Sequence, residues 1–222
     1  MNQNYHRIKN FSEDDSYFKK FLAHLIFFIA SRKIKYRKNL LTKKEYRQVL
    51  ACIKRGDLIL AGTLRRVSRF LIKGLVTHSA LYLGRDKIIH VIVDGVEVIS
   101  LEDLFLEYDY VVVLRPNIEK NKTKVINKAI AYMRAQIGKP YDFDFEYKDN
   151  KFFCSELITS GFVYAGFDLG IKKNKSILDK IVPSKSNIIY PVEFLSGNFE
   201  IIYLSSKIYE EEGEIYLKKE KF

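Results

Sequence analysis

A chain of 222 residues is long enough for one sizeable core, or for one domain with extensions, and its 47% apolar content excludes wholesale disorder. The net charge of +11 is unevenly placed: residues 1–50 hold twelve Lys/Arg against four Asp/Glu, which accounts for +8 of it. Two cysteines, Cys52 and Cys154, exclude a disulfide framework, and the lack of any C-x-x-C pair argues against a structural zinc site.

The basic N-terminal region has two readings. One is a lysine-rich, solvated surface on an extension. The other is attraction to an anionic partner, either a membrane or a wall polymer. No helix-turn-helix or RNP pattern accompanies the charge, so nucleic acid is not an expected partner. The apolar stretch FLAHLIFFIA (21–30) falls short of the roughly 20 residues a spanning helix needs. Its charged lead, with Glu13, Asp14 and Asp15, is unlike a signal peptide. It reads as a helix docked on the core. A membrane-surface anchor flanked by Lys19, Lys20, Arg32 and Lys33 is the rival. The expected compartment is the reducing cytoplasm, with membrane association tied to the anchor reading.

In chain order, LTKKEYRQVL (41–50) predicts a helix capped by Thr42, with Tyr46 and Leu50 at helical spacing. DLILAG (57–62) is a buried strand closed by a glycine. TLRRVSRFLIKGLVT (63–77) spaces its apolar residues like a helix face. HSALYLG (78–84) is a strand, and KIIHVIVDGVEVI (87–99) is two strands broken at Asp94-Gly95. SLEDLFLEY (100–108) is a short helix capped by Ser100, and YVVVLRP (110–116) a further strand. TKVINKAIAYMRAQIGKP (123–140) is the clearest helix, with Thr123 as cap and a stripe of Ile126, Ala129, Ile130, Met133 and Ile137. A helix follows Cys154, burying Leu157, Ile158, Gly161, Phe162 and Ala165. Residues 168–187 are lysine-rich and irregular, and FEIIYLSS (199–206) is a last strand. The order is α+β. The expected domains are a basic, mostly helical extension over 1–50, a catalytic domain over 51–206, and a charged, frayed or loosely docked tail over 207–222.

NKFFCSELI (150–158) puts Cys154 in the first turn of its helix, where unpaired N–H groups and the positive dipole end favour a thiolate. The same position lies on the apolar stripe, so a buried, inert cysteine is the competing reading. A thiolate nucleophile needs a base within hydrogen-bond reach. Of four histidines, His6 lies in the charged lead and His24 in the N-terminal apolar stretch; His78 and His90 lie on adjacent predicted strands. A three-residue loop GRD pairs Leu83 with Lys87 and puts both histidines on one sheet face. A two-residue RD turn puts them on opposite faces. Nothing local chooses between the loops, and each histidine also reads as a satisfied strand residue.

The segments GDLIL (56–60), SRFLIKGLVTHSALYLG (68–84), KIIHVIVDGVEVISLEDLF (87–105), YVVVLRP (110–116), IGKPYDFDF (137–145) and FFCSELI (152–158) occur in one order. Together they resemble the circularly permuted papain-like branch of the NlpC/P60 superfamily, the YiiX/YebB-type cysteine hydrolases, over roughly residues 55–205. The resemblance implies a permuted papain-like fold, an antiparallel sheet or half-barrel packed against helices. It implies Cys154 as nucleophile, His78 as base and the residue at 90 as the one that orients the base. Position 90 departs from the pattern: an acidic residue is often expected there, and this chain has His90. A histidine can accept from His78 but supplies no fixed negative charge. The resemblance also places the Tyr141 hydroxyl near the oxyanion site. Glu156, in the CSEL run, supports the site by hydrogen bonding or simply complements the helix N-terminus.

The expected activity is therefore that of a cysteine peptidase or amidase acting through a thioester on wall-type peptides, with no metal or organic cofactor. One rival is a membrane-directed acyl hydrolase or acyltransferase similar to lecithin:retinol acyltransferase. The other is a non-catalytic scaffold of the same fold.

Overall fold

The structure, a computed structural model, describes residues 10–11, 16–17, 20–21, 24, 40–64, 75–143, 150–171 and 188–218. The expected helix over 63–77 falls largely on residues outside this set, as do most of the 21–30 stretch and of the irregular 168–187 segment. Among the described residues no helix is long and apolar enough to cross a membrane.

Helix α1 (Lys43–Cys52) starts where its cap predicts: Thr42 Oγ1 accepts from the Glu45 N–H, and the Glu45 carboxylate accepts from the Thr42 N–H. The buried face is Glu45 and Val49 rather than Leu50, which is exposed. Glu45 tolerates burial because it also accepts from the Ser206 N–H and hydroxyl, at 3.0 and 2.9 Å. The expected boundary at 50/51 thus falls inside a helix that is part of the core.

Strands β1 (Leu58–Gly62), β2 (His78–Gly84), β3 (Lys87–Ile92), β4 (Gly95–Ser100), β5 (Tyr110–Pro116) and β6 (Phe199–Leu204) form one antiparallel sheet in the order β4-β3-β2-β1-β5-β6. Helix α2 (Leu101–Glu107) follows β4, capped by Ser100 as expected. Helix α3 (Lys122–Arg134) is preceded by Asn121 at φ 55 rather than capped by Thr123, and it stops before Ile137. Ile137 lies in the following turn, half exposed, because the chain leaves helical geometry ahead of Gly138 and Pro140. Helix α4 (Cys154–Tyr164) buries Leu157, Ile158, Gly161 and Phe162.

The sheet has an apolar layer on each face. One holds Leu58, Leu81, Ile89, Val112 and the inner faces of α3 and α4. The other holds Ile59, Ala61, Ala80, Ile88, Val113 and the inner faces of α1 and α2. Arg115 clamps β5 to the start of β1 with two bonds to Asp57, at 2.9 and 2.7 Å, and a third to the Cys52 carbonyl.

The described part of the expected tail, residues 207–218, is ordered on the core rather than frayed. It forms a hairpin, β7 (Ile208–Glu211) and β8 (Glu214–Leu217), turned at Glu212 and Gly213 with φ of 51 and 78. Ile208 and Ile215 are buried against the first layer while their strand neighbours Tyr209, Glu214 and Tyr216 face outward, which is why a charged segment docks.

Candidate active site

The β2–β3 hairpin sets the histidines. Its turn is the two-residue Arg85-Asp86, both at positive φ, and Gly84 pairs with Lys87. A bulge between Tyr82 and Gly84 then shifts the register by one, so that Ala80 pairs with His90. The loop is the shorter of the two alternatives, yet the bulge restores the shared face. His78 Nε2 lies 3.0 Å from His90 Nδ1, with the rings edge-on at 76°. Tyr108 stacks flat on His78, with centroids 5.5 Å apart.

His90 has a second partner that the sequence reading missed. Glu97 stands directly opposite it on β4, and Glu97 Oε1 is 3.1 Å from His90 Nε2. The signal was present: a two-residue turn at 93–94 pairs Ile92 with Gly95 and hence 90 with 97.

Cys154 opens α4, with extended Phe153 as N-cap. Glu156 is buried, and its carboxylate accepts from the Phe153 N–H at 3.3 Å, so it complements the helix start. The Cys154 thiol is half-buried against the α3–α4 layer, 3.9 Å from the Ser155 hydroxyl. The two cysteines are free. Burial pushes the Cys52 thiol up, and the Asp57 charge adds to this, so Cys52 resists becoming a thiolate.

Tyr141 pairs with Phe152, two residues before Cys154, in a short parallel bridge. The Phe152 N–H donates to the Pro140 carbonyl at 3.1 Å, and the Asp142 N–H donates to the Phe152 carbonyl at 2.9 Å. Lys151 and Asp142, both buried, pair beside this bridge at 3.1 Å. Burial pushes the Tyr141 phenol far above its ordinary range; the charges of Cys154, Asp142, Glu156 and Tyr108 act in the same direction. Tyr141 therefore remains an O–H donor.

The lead into Tyr141 is laced to the start of β4: the Val96 N–H donates to the Lys139 carbonyl and the Gly138 N–H to the Val96 carbonyl, each at 2.9 Å. Gly95 permits this, since at φ +106 a Cβ would sit 2.2 Å from the Lys139 carbonyl oxygen. Asn10 Nδ2 donates to the Asp94 and Gly138 carbonyls, and Phe11 packs on Phe143, which packs on Tyr141. His78, His90 and Glu97 share the sheet face of α2, whereas Cys154 and Tyr141 belong to the layer of α4. Tyr108 stacks on His78, and helix α4 itself packs along β2 and β3, the histidine strands.

An antiparallel sheet with its histidine strand early and a cysteine-led helix late is the layout of a papain-like hydrolase whose parts are permuted along the chain. The chain belongs to the permuted papain-like amidase enzymes of the YaeF/YiiX, C92 family, whose sequence model matches residues 52–198. It is thus a member of a cysteine peptidase and amidase family. A solved structure described as the metalloprotein YiiX from Escherichia coli O157:H7 superposes with a TM-score of 0.57 at 16% identity, covering 68% of this chain and 97% of that one. No curated protein matches. As for a metal, no three His, Cys, Asp or Glu side chains among the described residues gather around a common point. His78, His90 and Glu97 are joined in line, nitrogen to nitrogen and nitrogen to oxygen, which does not suit a shared ion.

Proposed function

We propose that this protein hydrolyses amide bonds of wall-type peptides, with Cys154 as nucleophile and His78 as general base and acid. The observation that carries the reading is the linked His78–His90 pair on β2 and β3, the strands on which the cysteine-led helix α4 packs. In the first half-reaction the Cys154 thiol gives its proton to His78, and the sulfur attacks the amide carbon. The Tyr141 O–H and the Cys154 N–H stabilise the resulting oxyanion. His78 then protonates the departing amine as the C–N bond breaks, leaving a thioester. Water, deprotonated by His78, attacks the thioester; the carboxylic acid departs, and the proton returns to Cys154.

A second reading, acyl-ester hydrolysis or transfer at a membrane, draws on the +8 charge of residues 1–50 and on the packing of Phe11 against Phe143. The first test is labelling by a thiol-directed probe at neutral pH. It should be lost in Cys154→Ala and kept in Cys52→Ala; unchanged labelling in Cys154→Ala would sink the nucleophile assignment. Parallel assays on γ-glutamyl-diamino-acid peptides and on phospholipid vesicles then separate amide from lipid substrates.

A further inference from the structure

Both ring nitrogens of His90 are engaged: Nδ1 with His78 Nε2 at 3.0 Å, and Nε2 with Glu97 Oε1 at 3.1 Å. An ionised carboxylate only accepts hydrogen bonds. Facing Glu97, His90 must therefore carry its proton on Nε2. Its Nδ1 is then a lone pair, and it accepts from a proton on His78 Nε2. That leaves His78 Nδ1 unprotonated, as a base must be. The opposite order, with His90 protonated on Nδ1, forces the His78 proton onto Nδ1 and leaves it unable to take a proton there from a thiol.

We propose that Glu97 is a positioning residue: it fixes the tautomers of His90 and His78, and it supplies the negative charge that a histidine at position 90 lacks. This rests on the assignment of Cys154 and His78 as nucleophile and base. When His78 becomes an imidazolium, its Nε2–H still donates to His90, whose Nε2–H still donates to Glu97, so the new positive charge faces a carboxylate through one neutral ring. Glu97 is 43% exposed, so water screens this attraction and the effect is a tuning of the pair rather than its sole support. Among the described residues, the titratable groups near the histidines include Tyr108, stacked on His78, Tyr82 in the same layer, Tyr141 and Cys154 in the adjoining one, and half-buried Asp94 in the β3–β4 turn. Helix α2, packed on the same sheet face, carries Glu102, Asp103 and Glu107 on its exposed side.

The experiment is the rate of Cys154 alkylation by iodoacetate against pH in the full chain, for wild type, Glu97→Gln, His90→Ala and the double variant. The plateau near neutrality reports the thiolate–imidazolium pair, and its alkaline descent reports loss of the imidazolium proton. In Glu97→Gln the plateau should fall several-fold and the descent should move to lower pH. In the His90→Ala background the Glu97 substitution should change nothing, because the line is already cut. Nitrogen-15 shifts of the His90 ring give a second readout: protonation on Nε2 in wild type, and a mixture of tautomers in Glu97→Gln. Superimposable wild-type and Glu97→Gln profiles, or an equal Glu97 effect with and without His90, overturn the proposal while leaving Cys154 and His78 in place. A wild-type chain whose Cys154 does not alkylate overturns the nucleophile assignment itself.

Discussion

Lys151 and Asp142 form an ion pair, 3.1 Å apart and nearly sealed from water, at the point where the chain entering α4 runs beside the chain leaving Tyr141. A buried pair adds little over well-packed apolar residues, but losing one partner strands the other. Here the pair also sets the spacing between the segments that carry Tyr141 and Cys154.

Asp142→Asn should therefore lower stability by about 3–5 kcal/mol, the usual cost of breaking a buried pair, as read by urea unfolding. Asp142→Leu combined with Lys151→Met should cost less than Asp142→Asn alone. Thiol reactivity of Cys154 should fall in both, since the bridge through Phe152 loses its brace.

Tyr141→Phe should reduce hydrolysis by about 10²-fold with the fold intact, the scale expected for one oxyanion donor. Its phenol also predicts a pH effect on stability. Its value is raised in the fold above the ordinary 10.0, so from pH 10 upward the unfolded chain releases a proton that the folded chain keeps. Stability must then fall as pH rises, and Tyr141→Phe should flatten that alkaline loss. An alkaline unfolding curve identical in the two proteins would contradict the burial of this hydroxyl.

His78→Ala should cost about 10²–10⁴-fold in turnover, the range for losing an acid–base group, and His90→Ala should cost less. His90→Glu by itself sets two carboxylates face to face across β3 and β4. It should perform worse than His90→Glu combined with Glu97→Gln, measured as kcat/KM on one peptide substrate.

A chain ending at Ser206 loses the buried Ile208 and Ile215. At about 1.5–3 kcal/mol for each buried side chain, stability should drop by about 3–6 kcal/mol. A urea midpoint equal to that of the full chain would mean that the hairpin is a loosely held tail after all.

Local rules made most elements legible. The caps at Thr42 and Ser100 and the short strands β1, β2 and β5, bounded by glycine or proline, are written in neighbouring residues, and the structure follows them. The ordered motifs carried the family. What escaped depended on residues far apart or on small departures from regularity. Ile137 kept helical spacing but lay past the point where the backbone turned. Ile208 and Ile215 sit in a charged stretch and become core only because the first layer offers them a surface. Glu97 has no motif of its own; it matters because a two-residue turn brings it opposite His90.

The bulge at the end of β2 has a consequence for how this chain can change length. A strand alternates sides with every residue, and the bulge takes up the one residue that would otherwise turn His78 away from the face of His90. Deleting Leu83, the extra residue between Tyr82 and Gly84, would make the hairpin regular and leave Ala80 opposite His90, with both imidazoles still on one face. The bulge is thus a slack link: the hairpin can shed its one unpaired residue without turning the histidines apart.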